Sequence, residues 1–245
     1  MAQSDTLLWI SGASYGIGAG LARLNPYPGA RIINLDLQPS PRYETVTFDL
    51  TRPDTWDAPR KSFEKELAGY KGKRAILLVV GHVGIANGLA AKISAEEYHT
   101  ALIANGAGPL AMASDFLRLV QPGYEAGVMV MSSGAAHAAL VGQSAYGAAK
   151  AGIEHWARVM RRELAETGRD AWVVAVRPGL VDTPAARSTA VLDPSIYPRA
   201  ARMADNLKRF GVSEDEAAAR IWKALPPRQG EALISFDDVP PARKG

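Results

Sequence analysis

Residues 11–20, SGASYGIGAG, follow an apolar run at 7–10 and admit two incompatible readings. Gly12, Ser14 and Gly16 fit G-x-S-x-G, the strained turn that exposes a hydrolase's nucleophilic serine. The overlapping Gly12-x-x-x-Gly16-x-Gly18 is instead a glycine-rich turn. Such a turn lets a dinucleotide's pyrophosphate approach the N-terminus of a helix, here one opening at Ile17. Either Ser14 attacks a substrate or the glycines hold a phosphate.

Short apolar strands alternate with longer helical patterns around this turn. Strands are expected over 7–10, 31–36, 45–48, 75–80, 128–132, 172–176 and 232–235, each β-branched or continuously apolar. Helices are expected over 17–24, 54–70, 95–120, 145–167 and 214–224, with capping boxes at Ser94-x-x-Glu97 and Ser213-x-x-Glu216. The alternation predicts an α/β fold. It is a single-domain, Rossmann-type doubly wound parallel sheet of about seven strands with helices on both faces. Only QPSPRYET at 38–45 joins the second strand to the third. That stretch is too short for a crossover helix, so a loop replaces it and leaves that flank of the sheet thinly covered.

Position separates the two readings of the turn. A serine hydrolase of the G-x-S-x-G type takes its histidine from late in the chain, whereas the histidines here are His82, His99, His137 and His155. The dinucleotide reading requires an acid roughly 20 residues further on, and Asp36 ends the second strand there. Ser14 then reads as a turn residue.

Composition narrows the setting. The chain has 245 residues, 47% hydrophobic and 22% charged, with a net charge of +3 from scattered basic residues. Nothing in that distribution supports nucleic-acid or membrane-surface binding. With no cysteine, disulfides, zinc–thiolate sites and thiol catalysis are excluded. No metal site is expected. No apolar run reaches the ~18 residues of a membrane span, and a cytoplasmic protein is the expectation.

A second constellation lies midway. Tyr146 and Lys150 are four apart at the start of an expected helix and share one face. A buried phenol beside an ammonium has its anion favoured, which would draw its pKa down from ~10 and make it a general acid–base. Upstream, MSSGAAH at 131–137 places Ser133 at the carboxyl end of a strand, where open α/β sheets bind ligands. Its hydroxyl can donate to a substrate carbonyl oxygen.

At these residues the chain resembles the short-chain dehydrogenase/reductase family, and the likeness runs nearly end to end. Its glycine motif matches Ser11 to Gly18, with serine for the usual threonine, so Gly12, Ser14, Tyr15, Gly16, Ile17 and Gly18 would bind cofactor. The family's catalytic serine lies thirteen residues before the tyrosine, which selects Ser133 over Ser132. Asn105 matches the helix asparagine of the proton relay. Pro178, Gly179, Val181 and Thr183 match the segment beside the nicotinamide, and Asp49 and Leu50 the segment near adenine. The family's Asn-Asn-Ala-Gly stands here as Gly81, His82, Val83 and Gly84. GEALISFDDVPP, SSGAAH and PGLVDTP are similar to the sepiapterin and benzil reductase branch.

The resemblance implies transfer of a hydride between NAD(H) and a carbonyl or secondary alcohol. Ser133 would polarise the oxygen, Tyr146 would give the proton, and Lys150 would hold the ribose and relay a proton from water held by Asn105. Asp36 favours NAD over NADP, because a carboxylate repels a 2′-phosphate; Arg42 is the one nearby cation that could reverse this. An NADPH-dependent reductase, a nucleotide sensor without turnover and the Ser14 hydrolase remain open. Residues 184–210 are the expected substrate lid, carrying Arg187, Arg199 and Arg202 beside apolar residues. The partner is a small carbonyl or alcohol substrate. A homodimer or homotetramer is expected through the helices at 95–120 and 145–167, which carry Ala101, Ala104, Ala111, Ala148, Ile153 and Trp156.

Overall fold

The computed structural model describes residues 4–81, 84 and 86–237. Strand residues alternate between two apolar clusters, one on each face of a sheet. Leu7 and Trp9 enter one cluster, and Leu8 and Ile10 the other. The same division recurs at Leu77 against Ile76 and Leu78, and at Val173 and Ala175 against Val174 and Val176. Burial on both faces explains the continuous apolar runs in the sequence.

In chain order the elements are β1 (Thr6–Ser11), α1 (Gly16–Arg23), β2 (Arg31–Asp36), β3 (Glu44–Thr47), α2 (Asp57–Leu67), β4 (Arg74–Val79), α3 (Ala95–Leu102), α4 (Gly108–Leu119), β5 (Glu125–Met131), α5 (Ser144–Glu166), β6 (Ala171–Arg177), α6 (Pro184–Ala190), α7 (Ala200–Phe210), α8 (Glu214–Ala224) and β7 (Leu233–Ser235). Seven strands form one parallel sheet in the order β3-β2-β1-β4-β5-β6-β7. The order reverses between β1 and β4, which opens a crevice at the carboxyl ends of those strands. Helices α2, α4 and α5 cover one face, where Trp9, Phe63 and Phe116 pack edge to face with centroids 5.4–5.7 Å apart. Helices α1 and α8 cover the other. Among the described residues no helix is long and apolar enough to cross a membrane.

The connection from β2 to β3 is a helix-free loop, and edge strand β3 keeps Glu44 and Thr47 exposed while Val46 packs on the core. Two helical expectations change. The helix expected over 54–70 is a 3₁₀ turn at Pro53–Thr55 followed by α2. The one expected over 95–120 is interrupted by a π-helical turn at Ile103–Ala107. Pro109 has no N–H to send to the Asn105 carbonyl, so the α-helical ladder cannot continue there. The Ser94–Glu97 capping box forms in full. Ser213 caps α8 by accepting from the Glu216 N–H, while the Glu216 carboxylate pairs with Arg220. Residues 184–210, the expected lid, include the helices α6 and α7, which composition alone did not reveal.

Candidate active site

A cleft of about 950 Å³ runs along the carboxyl ends of the strands. Its floor starts at the glycine turn after β1. Gly12 takes a φ of 76°, and a Cβ on Gly18 would stand 2.1 Å from the Gly12 carbonyl oxygen, so the turn closes onto α1 only with glycine there. Helix α1 has no side-chain cap and no acid in its first turn, which leaves its N–H groups directed toward an anion. The Ser11 hydroxyl accepts from the N–H groups of Val80 (3.0 Å) and Gly81 (2.9 Å), tying the turn to the end of β4. This cradle fits a dinucleotide's pyrophosphate.

Asp36, at the end of β2, faces the same turn. Its carboxylate accepts from the backbone N–H of Ser14 at 3.4 Å and of Gln38 at 3.2 Å. These long bonds leave lone pairs for ribose hydroxyls. Behind it lies Asn34, fully buried between Ile33 and Leu35 of the strand. Its Oδ1 accepts from the Ala13 N–H at 3.0 Å, and its Nδ2 lies 3.2–3.3 Å from Ser14 Oγ, the Gln38 carbonyl oxygen and Thr45 Oγ1. One amide thus joins the glycine turn, the helix-free loop and β3. A polar residue inside RIINLD was the available signal.

The reacting end lies where β5 meets α5. Ser133 Oγ accepts from the Ala135 N–H at 3.2 Å and hydrogen-bonds with Tyr146. Lys150 is buried; its Nζ donates to the Met131 carbonyl oxygen at 2.8 Å and lies 5.6 Å from the Tyr146 ring centroid. Burial pushes Tyr146 up to about 12, with Ser133 pulling it the other way. Burial pushes Lys150 down to about 7. The expectation that Lys150 lowers the tyrosine's pKa is therefore corrected for this protein on its own. Desolvation costs each charged form more than their proximity returns.

Behind these groups lies a buried network that the motif reading missed. Arg177 donates to both oxygens of Glu154 at 2.7 Å, and Ser132 Oγ donates to Glu154 Oε1 at 2.7 Å. Burial raises the Glu154 pKa, but these donors carry it below the usual carboxylate range. Arg177 also lies 3.7 Å from Asp237, itself 3.9 Å from His137. The spacing of Glu154, one turn after Lys150 on α5, was the signal for it.

The cleft brings together Gly12, Tyr15, Gly16, Ile17, Gly18, Asp36, Asp49, Leu50, Gly81, Gly84, Ser133, Tyr146, Lys150, Pro178, Gly179, Val181 and Thr183. Thr183 caps α6, its Oγ1 accepting from the Ala186 N–H at 3.1 Å. Asp49 Oδ1 accepts from the N–H and hydroxyl of Thr51, at 2.8 and 2.7 Å. Two expected residues lie off the lining. Ser14 Oγ donates to the Gln38 carbonyl at 2.9 Å, turned toward the crossover loop. Asn105 is buried in the π turn, its Nδ2 donating to the Ala101 carbonyl at 3.2 Å. His82 and Val83 lie outside the described residues.

Comparison with known proteins agrees with this geometry. The family profile described as short chain dehydrogenase matches residues 7–191. The 3-oxoacyl-[acyl-carrier-protein] reductase FabG of Vibrio cholerae is 25% identical over 71% of this chain and 72% of its own. A short chain dehydrogenase/reductase of Saccharomyces cerevisiae, YIR035C, superposes with a TM-score of 0.81 at 19% identity, covering 96% of this chain and 97% of that one. A short chain dehydrogenase of Burkholderia cenocepacia, solved in complex with NADP, has a TM-score of 0.70 at 21% identity, covering 95% and 89%.

Proposed function

This chain belongs to the short chain dehydrogenase family, oxidoreductases acting on CH–OH or carbonyl groups, and within it we propose an NAD(H)-dependent reductase of a ketone or aldehyde. The observation that carries this reading is the meeting of Ser133, Tyr146 and Lys150 at one end of a cleft whose other end is the glycine turn and Asp36. Nicotinamide coenzyme, when bound, supplies or accepts the hydride. The glycine turn and the N-terminus of α1 would hold its pyrophosphate, Asp36 its adenosine ribose, and Thr183 with Pro178 and Gly179 the nicotinamide side.

The protein's own groups handle the oxygen and the proton. Ser133 donates to the carbonyl oxygen and orients it. Tyr146, kept neutral by burial, is a proton donor throughout the physiological range. Lys150 takes the ribose hydroxyls and refills the tyrosine through water held near Asn105. Residues 184–210 serve as the substrate lid.

Preference for NAD rests on Asp36. Arg42 is exposed and outside the cleft lining, so among the described residues it is not placed to offset repulsion of a 2′-phosphate. The FabG relative, a reductase by name, supports the reducing direction. Ser14, bonded into the turn and the loop, offers nothing to a hydrolase reading. We also propose a homodimer or homotetramer. Ala101, Ala104 and Ile153 lie in the protomer's own core, whereas Ala148, Gly152, His155 and Val159 form an outward stripe of α5 open to a second copy.

The test is NADH consumption with a panel of aldehydes and ketones, and NAD reduction with the matching alcohols. Turnover that disappears in Tyr146→Phe supports the reading. NADH binding without turnover of any substrate would favour a nucleotide sensor instead.

A further inference from the structure

The lid carries several arginines, and the tertiary structure gives them different surroundings. Arg187 pairs with Asp182 at 2.7 Å, and Arg209 lies 3.6 Å from Asp205. Arg202 is exposed and outside the cleft lining. Arg199 lines the cleft, half-buried, and among the described residues no carboxylate is within ion-pair distance of it. It is the N-cap of α7, and Met203 and Asn206 follow at four and seven residues on the same helix face, both lining the cleft.

Its neighbours locate Arg199 at the substrate end. Tyr197, two residues earlier, is fully buried, and its ring stands 2.8 Å from where a Cβ on Gly142 would be. Gly142 leads into α5, which opens at Ser144 and carries Tyr146 and Lys150. Burial raises the pKa of the Tyr197 hydroxyl, while the charge of Arg199, within hydrogen-bond reach of it, works in the opposite direction. A guanidinium offers five donors in a planar fork, and one phenol oxygen leaves most of them unused. The N-terminus of α7 adds positive potential there, since it has no side-chain cap and no acid in its first turn. Asp237, a carboxylate of the cleft lining, is already set between Arg177 and His137. Leu140, Ala138 and Met203 supply the apolar wall between.

We propose that Arg199 is the anion anchor of the substrate site and that the substrate is a carbonyl compound bearing a carboxylate, a keto acid. The proposal rests on the reductase reading of the same cleft and names its substrate class. The carboxylate takes the guanidinium fork at one end of an apolar spacer, and the carbonyl reaches Ser133 and Tyr146 at the other. Binding energy at the remote anion then positions the reacting carbon.

The test compares kcat/KM with NADH for a series of straight-chain keto acids and their methyl esters, in the wild type, Arg199→Ala and Arg199→Lys. The wild type is expected to prefer an acid over its ester by roughly tenfold or more. Arg199→Ala should collapse that ratio toward one, chiefly through KM for the acid, and Arg199→Lys should restore part of it. Equal use of acid and ester by the wild type would overturn the proposal. So would an equal loss on both in Arg199→Ala, the mark of a residue that only holds the lid. Turnover of neutral ketones without preference for acids would leave the reductase reading intact and sink the anion site alone. If no carbonyl compound turned over, the reductase reading would fail. A saturated fatty acid added with NADH would still decide the anion site, by raising the Tm of the wild type but not of Arg199→Ala, or by raising neither.

Discussion

Lys150 Nζ donates to the carbonyl oxygen of Met131 at 2.8 Å, and this bond is what the buried amine has in place of solvent. Burial brings its pKa from 10.5 to about 7. Between those values the unfolded chain binds the extra proton and the native state does not, so stability rises with pH from about 7 toward 10. Tyr146 works in the opposite sense higher up. Its folded pKa of about 12 exceeds the ordinary 10.0, so the unfolded chain loses that proton first and stability falls above about pH 10. Urea unfolding of the coenzyme-free protein should show the rise, on the order of a few kcal/mol, and Lys150→Met should flatten it. A rise of the same size in Lys150→Met would assign it to other groups.

Tyr146→Phe should lower kcat by roughly 10²–10⁴-fold while NADH binding, read by fluorescence, changes little. Ser133→Ala should also slow turnover. It removes the group that draws the Tyr146 pKa down, so the ascending limb of alcohol oxidation, where the deprotonated tyrosine is the base, should move to higher pH. A profile that keeps its position would separate Ser133 from the tyrosine's ionisation.

Asp36→Ala should improve kcat/KM for NADPH relative to NADH by about tenfold or more, because like-charge opposition to the 2′-phosphate is removed. Equal efficiencies in the wild type would show that Asp36 does not select the coenzyme.

Asn34 bonds partners up to 21 residues away in sequence, namely Ala13, Ser14, Gln38 and Thr45. Asn34→Ala leaves the buried Ala13 N–H without its acceptor and should cost about 1–3 kcal/mol in urea unfolding. It should also raise KM for NADH more than it lowers kcat, since the glycine turn and the loop that follows Asp36 loosen. Asn34→Asp keeps the acceptor for Ala13 and loses the donors to the loop, so its KM defect should persist. A normal KM in both variants would confine Asn34 to packing.

Light scattering at micromolar concentration should give a dimer or tetramer mass. Val159 is exposed on the outward face of α5, and Val159→Glu should shift the population toward monomer. A monomeric wild type would remove the assembly proposal.

Most local relationships were legible along the chain, the breaks within the helices expected over 54–70 and 95–120 excepted. The continuous apolar runs at 7–10 and 75–80 specify strands buried on both faces, and the glycines of 12–18 specify a turn no side chain can enter. Tyr146 and Lys150 share a helix face because four residues make about one turn. These features depend on neighbours within a few positions, where backbone geometry leaves few choices. The tertiary structure decided what depends on distant partners. Which distant partners Glu154 and Asn34 find, and the sorting of the arginines at 184–210 into paired and cleft-facing, were decided there. So was the ionisation of Lys150 and Tyr146. Proximity in sequence suggested mutual stabilisation of charge, but the surroundings that strip away water come from β5, α5 and the loops above them, and desolvation outweighs a neighbour's field.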